Sequence, residues 1–139
     1  MEQIREALDS GVDPNSEGEL GLTLLMIAAM NHRVEVVDLL LATDGIEVNK
    51  GRGAYTALHL ACKEGNGAII SKLIAAPGID INALDFFKCT PIMTALDYGG
   101  TEAVRLMAAT ADLDCKFPPD GQSLEERCHH RSAKNLIKI

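Results

Sequence analysis

Cys128, His129 and His130 stand side by side near the end of the 139-residue chain, and thiolate and imidazole are preferred ligands of zinc. Neighbouring residues on a helix point about 100° apart, so the triplet cannot converge on one ion. No fourth ligand lies at a metal-site spacing. The triplet therefore reads as part of a polar helix with Cys128 at a small core position, and no metal is expected. His59 is the next candidate. A catalytic His needs a nucleophile or a carboxylate set beside it, and no Ser/His/Asp or Cys/His pattern with that context is present. The stretch KGRGAY at 50–55 is rich in Gly but lacks the Lys-Ser/Thr and the preceding strand of a phosphate loop. No catalytic residue and no cofactor is assigned. A small metal-dependent enzyme hidden in the fold stays only as an alternative.

The aromatic residues say more. Tyr55, Phe86, Phe87, Tyr98 and Phe117 are all the chain has, and Trp is absent. Phe86 and Phe87 are adjacent in ALDFFKC, and Phe117 lies in the similar CKFPPDG. Adjacent bulky aromatics in a turn cost solubility unless they pack or bind, and aromatics, Met and Arg are enriched at the centres of interfaces. A core made without them must consist of Leu, Ile, Val, Ala and Met. The net charge of −7 disfavours nucleic acid and anionic membranes, both of which attract basic surfaces. No apolar run reaches the roughly 18 residues of a membrane span, and MEQIREALDSG has no signal-peptide core. The four cysteines are widely spaced, with no CxxC pair. Free thiols in a reducing interior, cytoplasm or nucleus, are expected.

The elements that must carry these residues repeat. Thr23, Thr56, Thr90 and Ser123 open similar strings at steps of 33, 34 and 33 residues. A second ladder runs GVDPN (11–15), GIEVN (45–49) and GIDIN (78–82), ending in the degenerate TADLD (110–114). A shared period near 33 predicts a solenoid of stacked helix pairs. Each Thr precedes an apolar run, as a helix cap does, and Pro91 follows Thr90 at the first helical position. Gly65 and Gly99 close first helices. Second helices are predicted over 34–42, 68–75 and 102–109, with Val37, Leu40 and Leu41, or Ile70, Leu73 and Ile74, at helical spacing. The acidic residues Glu35, Asp38 and Glu102 fall on the outer helices as a solvated face. Asn15, Asn49 and Asn82 are predicted to bond their own local turns.

TALHLA (56–61), PIMTA after Thr90 and GIDIN (78–82) resemble the ankyrin-repeat signatures T-P-L-H-x-A and G-A-D-x-N, and the resemblance runs along almost the whole chain. It implies an all-α ankyrin-repeat solenoid of helix-turn-helix units with projecting hairpin-like turns. The units would be a truncated leading repeat at 1–15, repeats at 16–49, 50–82 and 83–114, and a divergent capping repeat at 115–139, where GQSL (121–124) stands for G-x-T-P. Leu24, Met26 and Met93 depart from the usual Pro and His. The resemblance gives His59 a structural hydrogen bond between turn and helix. It also implies a non-enzymatic module that docks a protein partner on a concave face of turns and first helices, as an adapter, inhibitor or targeting subunit. The family's variable contact positions map to Glu19, Leu20, Leu22, Met30 and Asn31 in the first full repeat, and to Arg52, Gly53, Tyr55, Lys63 and Glu64 in the second. In the third they are Phe86, Phe87, Cys89, Asp97 and Tyr98. A monomer is expected, with no nucleic acid or membrane as partner. A spacer within a larger protein is the alternative, which the paired Phe residues argue against.

Overall fold

The structure is a computed structural model that describes residues 2–18, 20–52, 55–98 and 100–110. Among them are helices α1 (Glu2–Asp9), α2 (Leu24–Met30), α3 (Val34–Leu41), α4 (Ala57–Glu64), α5 (Gly67–Ile74), α6 (Pro91–Asp97) and α7 (Thr101–Ala108). The capping calculus of the sequence is realised atom by atom. The hydroxyls of Thr23, Thr56 and Thr90 accept from the backbone N–H of Met26, His59 and Met93, which satisfies an otherwise orphan donor at each helix start. Asn66 does the same for Ile69 at the head of α5. That cap draws Gly67 into the helix, so α5 begins one residue before the predicted 68, and α7 likewise begins at Thr101 rather than at 102.

First helices stack on first helices, α2 on α4 and α4 on α6; second helices follow, α3 on α5 and α5 on α7. The core lies between the two rows. Leu25, Met26, Leu40, Leu58, Ile69, Ile70 and Leu73 are fully buried, and Ala28, Ala61 and Ala95 let the first helices approach closely. The core is built mainly from Leu, Ile, Val, Ala and Met, in keeping with the composition. The fold is therefore the all-α solenoid that the period predicts. The closing unit expected at 115–139, with Ser123, Phe117 and the Cys128–His130 triplet, lies outside the described residues, as does Gly99.

α4 ends on Gly65 at φ 73, whose N–H donates to the carbonyl of Ala61. At the same register α2 is followed by His32, which holds φ 58 without being Gly. Turns link each pair to the next. Gly18 donates to the Leu22 carbonyl, and Arg52 and Tyr55 exchange both backbone bonds. A β-carbon at Gly51 would overlap the Tyr55 carbonyl, so this close approach admits only Gly.

The Asn ladder works differently from its prediction. Asn15 and Asn49 bond the next repeat instead of their own turns. Asn49 donates Nδ2–H to the Gly78 carbonyl at 2.7 Å and accepts from the Asp80 N–H at 2.7 Å. Asn15 does likewise with Gly45 and Glu47 at 2.8 and 2.7 Å. The local role falls to aspartates, whose carboxylates accept from the Asn15 and Asn82 N–H groups at 2.9 and 3.0 Å. One amide, donor and acceptor at once, matches the paired N–H and C=O of a loop one period away.

Candidate functional site

The turn between α5 and α6 builds the most exposed apolar feature among the described residues. One oxygen of Asp85, Oδ1, accepts from the N–H groups of Phe87 and Cys89 at 2.8 and 2.9 Å. The Asp85 backbone exchanges further bonds with Lys88 and Cys89, and Lys88 takes φ 57. This knot of bonds holds the tip open. Phe86 is 82% exposed and Phe87 70%, so neither ring folds down onto the neighbouring turn. Leu20, at the tip of an earlier turn, is also exposed.

The first helices carry a second group of exposed residues. Tyr98 is 53% exposed, and the Lys63 ammonium lies over its ring at 5.3 Å, joining α4 to the end of α6 by a cation–π contact. Glu64 stands 3.8 Å from His32 across to the preceding repeat. Asp97 is partly exposed. Met30 and Asn31 are exposed at the end of α2, where the Asn31 amide donates to the Ile27 carbonyl at 2.9 Å. Arg52 is exposed in its turn, its stem beside Gly21 of the preceding turn.

Three expected contact positions differ in exposure. Cys89 is buried because its carbonyl must meet the His59 imidazole, so its side chain does not reach the surface. Leu22 and Tyr55 are half-buried and pack on the core. The Tyr55 ring stacks on His59 with centroids 5.0 Å apart, and burial pushes its phenol well above the ordinary range. Glu19 and Gly53 lie outside the described residues.

His59 is the hub that joins two repeats. Nδ1 accepts from the Thr56 N–H at 3.1 Å, so the proton sits on Nε2, which donates to the Cys89 carbonyl at 2.8 Å. The expected turn-to-helix bond is thus present, and its second half reaches into the next unit. Burial lowers the His59 pKa, opposed by the Cys89 bond and by the charges of Asp85 and Asp80. Burial also pushes the Cys62 thiol up to about 12, which leaves it an inert core residue. Among the described residues no group of His, Cys, Asp and Glu could hold a metal ion. No helix there is long and apolar enough to cross a membrane.

Stacked helix pairs with capped first helices, tied by one His and a ladder of Asn, define a helical repeat protein. The chain belongs to the ankyrin-repeat family: a family model described as ankyrin repeats in three copies matches residues 1–85. It is 30% identical over 116 residues to an ankyrin repeat protein of Rickettsia bellii, covering 80% of this chain and 35% of that protein. It is 36% identical over 67 residues to the SMC5-SMC6 complex localization factor protein 1 of Mus musculus, covering 48% of this chain and 6% of that protein. The chain thus spans about a third of the bacterial relative and a small part of the mouse one. Proteins of this family are generally protein–protein interaction modules.

Proposed function

We propose that this chain is a non-enzymatic recognition module that docks a protein partner on the face formed by its turns and first helices. The observation that carries the reading is the pair of Phe rings, 82% and 70% exposed on a turn whose backbone is locked by Asp85. A rigid tip loses little entropy on docking. Tyr98, Lys63, Arg52 and Glu64 supply a rim of mixed charge around an apolar centre, the anatomy of a protein interface. Tyr55 contributes its exposed half and anchors the rest through His59. Met30, Asn31 and Leu22 would extend the surface toward the leading repeat. The repeat boundaries at 15/16, 49/50, 82/83 and 114/115 belong to this reading, the three full repeats between them each presenting one turn and one first helix.

An adapter, an inhibitor that covers its target and a targeting subunit all use such a face, and the name of the mouse relative carries the last of these. The test is capture of protein from cell extract by the intact chain and by Phe86→Ser with Phe87→Ser. Both rings are exposed, so the double variant keeps its helical circular dichroism. Loss of the captured protein is expected; undiminished capture removes the turn from the site.

A further inference from the structure

The turns before α2 and α6 are built on one plan. In the first, the Gly18 N–H donates to the Leu22 carbonyl and the Gly21 N–H to the Gly18 carbonyl. In the second, the Asp85 N–H donates to the Cys89 carbonyl and the Lys88 N–H to the Asp85 carbonyl. Residues at equal distance before the capping Thr can therefore be compared. Two before it stand Gly21 at φ 72 and Lys88 at φ 57. The left-handed region is open to Gly and costly to a residue with a β-carbon. A β-carbon on Gly21 would meet the Arg52 stem at an ordinary 3.5 Å, so what Gly supplies there is the conformation. The Phe turn needs the same conformation and carries Lys instead. Backbone strain gathers at functional positions, and this residue follows the two exposed rings directly in the chain.

We propose that Lys88 is a specificity-determining residue of the Phe turn, and that the partner segment docked there sets a carboxylate beside an apolar side chain. This rests on the docking reading above and names the chemistry of its partner. Local charge selects that chemistry. The tip ALDFFKC has two charged residues, Asp85 and Lys88. The Asp85 carboxylate is turned onto its own backbone by its bonds to the Phe87 and Cys89 N–H groups. Lys88 is exposed, as are Phe86 and Phe87 before it. An incoming segment thus meets apolar rings and an ammonium, and the complement of that pair is Asp or Glu next to an apolar residue. The net acidity of the chain lies elsewhere. Residues 1–50 hold 10 Asp and Glu against 3 Lys and Arg, whereas residues 51–139 hold 10 of each, so the turn stands in the neutral part of the chain.

The test pans a phage-displayed library of random peptides on the full chain and titrates a fluorescein-labelled selected peptide by anisotropy. The enriched sequences are expected to set Asp or Glu beside an apolar residue. Lys88→Gly should weaken the selected peptide about tenfold or more, the scale of one charge-assisted contact. Gly suits the turn conformation, so the urea midpoint of this variant should not fall, which separates lost recognition from lost folding. A midpoint that falls together with the affinity makes Lys88 a structural residue and overturns the proposal. Panning on Lys88→Glu should replace Asp and Glu by Lys and Arg in the enriched sequences. Peptides that need the Phe rings but show no acidic bias, or that bind Lys88→Glu as well as wild type, overturn the proposal and leave the docking face standing. Peptides that bind Phe86→Ser with Phe87→Ser undiminished remove the turn itself, and a library that yields no enriched sequence removes both. Saturable binding of a labelled oligodeoxythymidine that Lys88→Glu abolishes would make the occupant a nucleic acid and overturn the proposal equally.

Discussion

His32 and Gly65 hold the same place after a first helix, at φ 58 and 73. The left-handed region costs a residue with a β-carbon about 1–2 kcal/mol, and Gly avoids that cost. Gly65→Ala is therefore expected to destabilise by about 1 kcal/mol, read as a lower urea midpoint at unchanged slope. His32→Gly should move the midpoint the other way by less, because added freedom of the unfolded chain offsets part of the relief. It also loses the 3.0 Å contact with the Asn66 amide. His59 makes a second residue-scale prediction. Its folded pKa is lowered, so below its ordinary value near 6.5 the unfolded chain binds a proton that the folded one refuses. Its contribution is full above about pH 6.5 and declines as pH falls toward the folded pKa, by at most about 1.4 kcal/mol per unit. Denaturant unfolding of wild type and His59→Gln at pH 7.5 and 5.5 checks this. The wild type should lose more stability on acidification, and equal losses would remove His59 as the cause.

The elements were largely legible and the links between them were not. Capping Thr, Pro91, the closing Gly65 and the apolar spacing are local signals, and the helices followed within a residue or so of their predicted ends. His59 was legible by half: its bond to Thr56 is three residues away, but its bond to Cys89 depends on how one repeat sits upon the next. The Asn ladder erred for the same reason, since an amide near a turn offers local partners in the sequence and distant ones only in space. Phe86 and Phe87 stood out as adjacent aromatics, while their exposure depends on the Asp85 bonds beneath them. Asn49 puts the inter-repeat link to a test. Asn49→Ala removes two hydrogen bonds to the next loop, each worth about 1 kcal/mol net, for a loss of about 1–2 kcal/mol. Asn31→Ala, which loses one bond to its own helix, should cost less than half as much in the same urea titration.

Across the whole molecule, stability is a sum of units and of the faces between them. A residue in a middle unit is held from both sides, and, among the described residues, one on the leading side of α2 from one side only. Leu58 in α4 is fully buried between α2 and α6, whereas Ile27 is 36% exposed. Leu58→Ala leaves a cavity that neighbours on both sides cannot close, at a cost of about 3 kcal/mol. Ile27→Ala removes a side chain already partly in water and should cost about 1 kcal/mol. The contrast extends to amide exchange, which reports local opening. Protection should be highest over Leu58–Cys62 and Ile69–Leu73, where every residue but Ser71 and Lys72 is buried, and lowest in α1, none of whose residues is fully buried. Equal protection in α1 and α4, or equal costs at Leu58 and Ile27, would mean that the chain unfolds as one indivisible block rather than as a sum of units.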